Sequence, residues 1–255
     1  MYPQIHTEGI ILKKRAYLEK DLWIEVYTQS YGRICCLIKN AKDLKNNFHG
    51  KIELFSLIDL LIEKREKYII KNICVKKYFS CFDNNIENLA FAGGIAETTL
   101  NIIPENYNPK NYFELLKTSI GILSINNKGL AIFFIFQIKA LFLLGYINTH
   151  TQCQICNNNF LESDLFVYID QQENSINCVR CSGNHNLIKI KKHSLNVFNY
   201  FIFFPFNDCL NLIISDLKTY QELLIIMQNL NHLSLAKLKS IKFWKDLYNY
   251  QPLDS

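Results

Sequence analysis

Four cysteines form the most conspicuous chemical pattern of this chain. The stretch CQICNNNFLESDLFVYIDQQENSINCVRC holds two Cys-x-x-Cys pairs separated by 21 residues, at Cys153, Cys156, Cys178 and Cys181. Each pair forms a tight knuckle that directs two sulfurs to one side of a turn, and two knuckles complete a tetrahedral Zn²⁺ site. The spacing therefore predicts a zinc ion bound by four thiolates. The alternatives are a redox dithiol, which requires one Cys-x-x-Cys beside a βαβ unit, and a disulfide.

The predicted zinc is structural, because four thiolates close the coordination position that a catalytic zinc keeps open for water. A zinc deaminase would need His-x-Glu shortly before Pro-Cys-x-x-Cys. His6 and Glu8 spell His-x-Glu but lie far upstream, and no proline precedes Cys153 or Cys178. The segment between the knuckles has four carboxylates and no basic residue, unlike a module that binds phosphates. We therefore expect the ion to stabilise a short insert.

Motifs of other enzyme chemistries are missing from the sequence. It has no Gly-x-x-x-x-Gly-Lys-Ser/Thr phosphate loop, no Gly-x-Ser-x-Gly, no His-Glu-x-x-His and no Gly-x-Gly-x-x-Gly. We therefore predict a protein that is not an enzyme.

The positive charge is concentrated in the first third of the chain. Residues 1–80 carry 15 Lys and Arg against 9 Asp and Glu, a net of +6, whereas the whole chain has a net of +5. A localised basic region is typical of a protein that binds a polyanion, and the alternative is an ordinary solvated surface. The cations of this region that are candidates for contacting the phosphates of a polyanion are Lys13, Lys14, Arg15, Arg33, Lys39, Lys42 and Lys45. Candidate rings for stacking on bases are Trp23, Tyr27 and Tyr31.

A second basic and aromatic cluster lies near the C-terminus. Lys239, Lys242 and Trp244 are weak candidates for binding a partner, and the alternative is a solvated amphipathic helix.

The composition indicates a protein with a substantial core, since 49% of the residues are hydrophobic. The N-terminus MYPQIHTEGIILKKR lacks the charged start and apolar core of a secretory signal, so we expect a cytosolic protein with reduced thiols. The apolar stretch 130–147 carries Gln137 and Lys139 at its centre, where a bilayer disfavours a lysine. This stretch is therefore predicted to be a buried helix with one polar edge, not a membrane span.

The elements that position these residues change character near residue 80. Five strands are predicted before it, at residues 7–14, 21–29, 33–39, 51–65 and 67–79. Five strands in antiparallel hairpins suit a small closed barrel of the OB type. Helical spacing follows at 85–103, 108–123 with Asn108 as N-cap, 130–147, 191–204, 215–233 and 235–250.

The predicted fold is therefore an α+β multidomain protein. An OB-fold domain covers 1–80, an α-helical domain covers 81–149 and 187–255, and a zinc-finger insert covers 150–186.

Three segments resemble the RecO family of bacterial recombination mediators. The first segment is EGIILKKRAYLEKDLWIEVYTQSYGRICCLIKNAK (8–42). It has the family's Glu-Gly-Ile opening, its Glu-x-Asp pair at Glu19 and Asp21, and its Gly-Arg turn. FFIFQIKALFLLGYINTHTQCQIC (133–156) is similar to the family's helix that enters the zinc knuckle through Leu-Gly-Tyr. LLIIMQNLNHLSLAKLKSIKF (223–243) resembles its C-terminal helix with Leu-Lys-Ser.

The resemblance implies an OB-fold, a helical domain and an inserted zinc module. It also implies binding of single- and double-stranded DNA, annealing of complementary strands, and loading of the RecA recombinase together with RecR. The expected partners include the acidic C-terminal tail of single-strand-binding protein, and the expected location is the cytoplasm, at the nucleoid. A protein-interaction adaptor, for which DNA is incidental, is the alternative.

The sequence departs from the family pattern at its basic loop. Asn40 replaces the loop glycine, Asp43 interrupts the cations, and Ile241 and Lys242 stand where arginines are common. We therefore expect weaker DNA affinity than is typical, with a strong dependence on salt.

Overall fold

The computed structural model of the chain describes most of its residues. These are 2–43, 48, 50–79, 85–183, 187–212, 214, 216–230, 239, 241–242 and 246. The chain divides into two compact units, residues 1–129 and 130–255. Most of the predicted helix 235–250 lies outside the described residues. The boundaries of the predicted OB-fold, helical and zinc-finger domains remain a prediction.

The first unit begins with a closed five-stranded barrel, which confirms the predicted OB-like architecture. Its strands are β1 (Gln4–Tyr17), β2 (Asp21–Thr28), β3 (Gly32–Ile38), β4 (Leu57–Lys64) and β5 (Tyr68–Lys77), and they close in the order β1-β2-β3-β5-β4. The short contact between β3 and β5 is parallel, and the other pairs are antiparallel. The barrel thus joins sequential hairpins with one crossover, as an OB-fold does.

The barrel core follows from the alternation of side chains along each strand. In β2, Ile24 and Val26 point into the core and are fully buried, whereas Trp23 and Glu25 lie on the outer face. Strand β1 extends beyond the predicted 7–14 because its C-terminal half continues to pair with β2, up to Tyr17 opposite Asp21. The β1–β2 hairpin therefore projects a run of exposed residues, 13–20.

A glycine is required where β2 turns into β3. Gly32 has φ 64°, a left-handed conformation that disfavours residues with a Cβ. A Cβ on Gly32 would lie 2.0 Å from the carbonyl oxygen of Tyr107. The glycine therefore lets the connection after the first helix pack directly on the hairpin.

Two helices follow the barrel in the described part of the first unit. Helix α1 (Ile86–Ile102) is capped by the Asn85 side chain, which accepts a hydrogen bond from the Asn88 backbone N–H. Helix α2 (Tyr112–Leu123) begins later than predicted, with Asn111 at the cap position. The prediction of Asn108 as N-cap is wrong, because its side-chain amide binds the β2–β3 turn through the Gln29 carbonyl oxygen.

A carboxylate on the barrel anchors α2. Glu8 accepts hydrogen bonds from Lys76 of β5 and Lys117 of α2, each at 2.9 Å. Burial alone would raise the pKa of Glu8, but the bonds from Lys117 and Lys76 outweigh it and hold this pKa below its ordinary value. The ionised Glu8 therefore contributes to the contact between the barrel and α2.

In the part of the second unit that the structure describes, four helices have defined bounds. They are α3 (Gly129–Leu143), α4 (Lys192–Phe203), α5 (Phe206–Asn211) and α6 (Leu217–Asn229). Gln137 of α3 is fully buried, and the Lys139 ammonium group donates to the Phe204 carbonyl oxygen at 2.6 Å. None of the helices in the described part of the chain combines the length and apolar character that a membrane crossing requires.

A small sheet lies between α3 and α4, where the sequence predicted only a zinc-dependent insert. Its strands are β6 (Phe166–Asp170), β7 (Ser175–Asn177) and β8 (Ile188–Lys191), in the order β7-β6-β8. The alternating side chains of Val167 and Ile169 are fully buried, as is Ile176 on β7. The cysteine segment thus carries buried apolar side chains beside the cysteines, and its sheet contacts α4 and α6.

Candidate metal centre and nucleic-acid interface

The structure brings the four predicted ligand sulfurs together. The Sγ atoms of Cys153, Cys156, Cys178 and Cys181 all lie within 4.8 Å of one another, and those of Cys156 and Cys178 are 3.9 Å apart. All four cysteines are free thiols. A tetrahedron with Zn–S distances of about 2.3 Å separates its sulfurs by about 3.8 Å. The cluster therefore has the size and the donors to hold a metal ion of the zinc class.

Backbone hydrogen bonds close each knuckle. In the first, the Asn157 N–H donates to the Cys153 carbonyl oxygen, and the Cys153 N–H donates to the Asn158 carbonyl oxygen, both at 2.9 Å. Asn157 has φ 58°, a left-handed conformation that asparagine adopts more readily than most residues. In the second, the Cys181 N–H donates to the Cys178 carbonyl oxygen at 3.0 Å. The sulfurs are therefore positioned by local turns.

The first knuckle is also bound to strand β7. The Gln154 N–H donates to the Ile176 carbonyl oxygen at 3.1 Å, and the Ile176 N–H donates to the Gln154 side-chain oxygen at 2.6 Å. Cys178 directly follows β7, so this strand fixes the second knuckle relative to the first.

The thiols of the cluster differ in acidity. Burial alone would raise the pKa of Cys153, but the backbone N–H groups of the knuckles stabilise its thiolate and lower this pKa to about 6. Hydrogen bonds to the Cys178 and Cys156 sulfurs raise the pKa of Cys181 to about 12. A thiol that coordinates a cation loses its proton, so a divalent cation would bring this cluster to four thiolates.

The first basic group lies on the projecting part of β1. Lys13, Lys14 and Arg15 are all exposed. The Lys13 ammonium lies 3.4 Å from Glu25, and the Lys14 ammonium lies 3.1 Å from Glu53. Alternation along the strand places Lys14 on the opposite face from Lys13 and Arg15, so the three cations do not form one patch.

Arg33 occupies a different environment from the other predicted phosphate contacts. Its guanidinium group donates to the carbonyl oxygens of Leu100 and Ile103, at 2.7 and 2.9 Å, and lies 2.8 Å from the Glu25 carboxylate. Only 24% of its side chain is exposed. Arg33 therefore joins β3 to the C-terminal end of α1.

The segment after β3 lies beside the β1–β2 turn. The Lys42 ammonium donates to the Glu19 carbonyl oxygen at 3.2 Å, and Lys39 is exposed. Asn40 has φ 53°, which explains how asparagine fills the position of a loop glycine. Lys45 lies outside the described residues. Lys42 and the β1 cations are thus near the same hairpin.

The three candidate stacking rings have different exposures. Tyr31 is exposed and Trp23 is half-buried on the outer face of β2. Tyr27 is completely buried, with its ring 5.1 Å from that of Tyr112, and burial raises its pKa. The prediction that Tyr27 stacks on bases is therefore wrong, because α2 covers this end of the β2 face.

Two of the three C-terminal candidates are described. Lys239 and Lys242 are exposed, and Ile241 between them is buried. Trp244 lies outside the described residues.

A cationic turn between β4 and β5 was not predicted from the sequence. Lys64, Arg65 and Lys67 are exposed in this turn, and the Lys67 ammonium lies 5.5 Å from the centre of the Trp23 ring. The run EKREKY contains these charges, but only the barrel brings them to a ring 44 residues away in sequence.

Two protein-family models match most of the chain. The family model "Recombination protein O N terminal" matches residues 1–77, and "Recombination protein O C terminal" matches residues 83–216. Similar proteins that carry the name DNA repair protein RecO include those from Desulfosudis oleivorans, Acetivibrio thermocellus and Thermoanaerobacter sp.. The protein from Desulfosudis oleivorans is 26% identical over 188 residues, which cover 71% of this chain and 72% of the relative.

Two further relatives extend the match along the chain. The protein from Acetivibrio thermocellus is 23% identical over 201 residues, 78% of this chain and 79% of its own length. The protein from Thermoanaerobacter sp. is 23% identical over 249 residues, 96% and 98% of the two chains.

Proposed function

The chain belongs to the RecO family of DNA repair and recombination proteins, and on that basis we propose that it is a non-catalytic DNA-binding mediator. It binds single- and double-stranded DNA and promotes annealing of complementary strands. With RecR and single-strand-binding protein, it loads RecA onto DNA.

One observation carries the DNA-binding part of this proposal, namely the exposed cations around the projecting β1–β2 hairpin. The Lys14–Glu53 ion pair is exposed and contributes about 0–1 kcal/mol, and the exposed Lys13 ammonium is the more distant of the two described cationic partners of Glu25, whose closer partner is Arg33. A phosphate can therefore replace Glu25 or Glu53 at little cost. Lys42 lies next to the same hairpin through its bond to the Glu19 carbonyl oxygen.

The full set of proposed phosphate contacts is Lys13, Lys14, Arg15, Arg33, Lys39, Lys42 and Lys45. Arg33 would have to release several partners, because its guanidinium group already binds Glu25 and the carbonyl oxygens of Leu100 and Ile103 at the end of α1.

We propose that the cysteine cluster holds a structural Zn²⁺ with Cys153, Cys156, Cys178 and Cys181 as its ligands. The observed sulfur separations support this assignment, and four thiolates complete the coordination of zinc. The ion would supply folding free energy to the segment that carries β6, β7 and β8.

A salt titration tests the proposal. We expect the affinity for an oligothymidylate to fall steeply with salt, and removal of Lys13, Lys14 and Lys42 to reduce the slope of log K against log[salt] by about 2. The charge-matched control replaces Lys110, Lys189 and Lys218, which are exposed elsewhere in the chain, and should keep the wild-type slope. An equal change in both triple variants would refute the assignment of the hairpin.

A protein-interaction adaptor is the second candidate function. It would recognise the acidic tail of single-strand-binding protein through the helical domain, with DNA binding incidental. The exposed Lys239 and Lys242 on either side of the buried Ile241 favour it. Tight binding of a tail peptide together with no binding of bare DNA would select this function over the first.

A further inference from the structure

A cleft of about 680 Å³ opens on the outer face of the barrel, entirely within the first unit. Trp23 of β2 and Cys35 of β3 line its floor. It is also lined by residues 64–68 around the β4–β5 turn and by Glu105, Asn106 and Asn108 between α1 and α2. This volume lies in the usual range for a pocket that encloses a small planar group.

The cleft combines aromatic rings with an excess of cations. Among the described residues that line it, four are basic, namely Arg15, Lys64, Arg65 and Lys67, and two are acidic, namely Glu66 and Glu105. The Lys67 ammonium lies 5.5 Å from the Trp23 ring centre, and the Lys64 ammonium lies 5.9 Å from that of Tyr68. Long lysine side chains over rings can swing toward a phosphate while leaving the ring free for a base.

The walls of the cleft are held in place by hydrogen bonds. The Tyr68 hydroxyl donates to the Asn106 side-chain oxygen at 2.9 Å, and the Asn106 N–H donates to the Arg33 carbonyl oxygen at 2.7 Å. The Tyr17 ring contacts the Trp23 ring edge-on, with centroids 5.6 Å apart. The site is therefore formed before any ligand arrives, which lowers the entropic cost of binding.

We propose that this cleft takes one unstacked base of single-stranded DNA against Trp23, with the flanking phosphates on Lys64, Arg65 and Lys67. The inference rests on the DNA binding proposed above and adds the residues that select single strands. In a duplex the bases are paired and stacked, so a duplex cannot insert a base here without paying to unstack it. The lysines of the β1–β2 hairpin contact phosphates and therefore serve both forms of DNA.

Two variants test the cleft by fluorescence anisotropy, with labelled oligothymidylate and a blunt duplex of equal length. We expect Trp23→Leu to weaken single-strand binding about 10-fold, the effect of losing one stacked base. Lys67→Ala should also lower the affinity for single strands. Both variants should bind the duplex like the wild type. The control Tyr78→Leu removes an exposed ring that does not line the cleft and should change neither affinity.

A second measurement needs no change at the cleft. Trp23 and Trp244 are the two tryptophans of the chain, so Trp244→Phe leaves Trp23 as the fluorescent reporter. Oligothymidylate should quench its emission saturably, and the duplex should not.

The outcomes separate this inference from the proposed function. If the wild type binds neither DNA, both fail together. If the wild type binds oligothymidylate but Trp23→Leu and Lys67→Ala bind it equally well, only the cleft assignment fails. Equal losses of affinity for single strands and for the duplex would also overturn it. So would a loss of affinity for an acidic peptide while single-strand binding stays intact. If Trp23→Leu does not fold, Lys67→Ala and the quenching measurement test whether the cleft binds single-stranded DNA.

Discussion

Replacing Arg33 with Met should loosen the contact between the barrel and the C-terminal end of α1. The substitution keeps an unbranched apolar stem but removes the guanidinium group. The carbonyl oxygens of Leu100 and Ile103 then lose their donor, and Glu25 keeps only its longer contact to Lys13. Arg33 contributes two kinds of interaction here, so the two can be weighed separately.

The hydrogen bonds to α1 supply most of the expected effect. A hydrogen bond from a charged donor contributes about 1.5–3 kcal/mol, and the partial exposure of Arg33 argues for the lower end. Two such bonds give about 3 kcal/mol, whereas the ion pair to Glu25 joins β3 to β2 and does not hold α1. Since about 1.4 kcal/mol is a factor of ten, local opening should become about 100-fold more frequent.

Hydrogen exchange measured by mass spectrometry reports this opening peptide by peptide. We expect about 100-fold faster exchange in peptides that cover residues 96–108, and little change in α6. Lys13→Met is the matched control, because it removes the other partner of Glu25 and leaves the α1 carbonyl oxygens bound. It should accelerate exchange less than about 5-fold. Equal effects of the two variants, or no effect of Arg33→Met, would refute the reasoning.

Glu8→Gln should lower the thermal midpoint at neutral pH. The pKa of Glu8 in the folded protein is below its ordinary 4.5, so the drop in thermal midpoint should have its full size above pH 4.5. It should vanish as the pH falls through the folded pKa, because the wild-type Glu8 is then protonated. A pH series of melting curves measures this dependence. Gly32→Ala should lower the thermal midpoint more than Gly145→Ala, since both positions have positive φ but only the first meets a neighbouring backbone, at Tyr107. The wild type should carry one zinc by elemental analysis, and Cys178→Ser or a strong chelator should remove it and accelerate exchange in β6 and β7, with unchanged exchange arguing against a structural ion.

Local patterns predicted much of the architecture. The barrel strands and α1 were predictable because period-2 and helical spacing are set by neighbours along the chain. The sulfur cluster was predictable because a Cys-x-x-Cys turn positions its two sulfurs with few distant contacts. Asn108 at the start of α2 was predicted wrongly, since an asparagine that suits a cap also suits a bond to a distant carbonyl oxygen. The small sheet was missed because its strands have only three to five residues.

By itself, the sequence determined which residues alternate into the barrel core, where the cysteines meet, and which third of the chain carries the positive charge. Only the tertiary structure decided which elements contact the outer face of β2 and β3. There α2 buries Tyr27, the end of α1 engages Arg33, and the β4–β5 turn places Lys67 over Trp23. The physical reason is that alternation states which side of a strand a residue occupies, whereas the element that packs on that side is chosen by contacts between segments far apart in the chain.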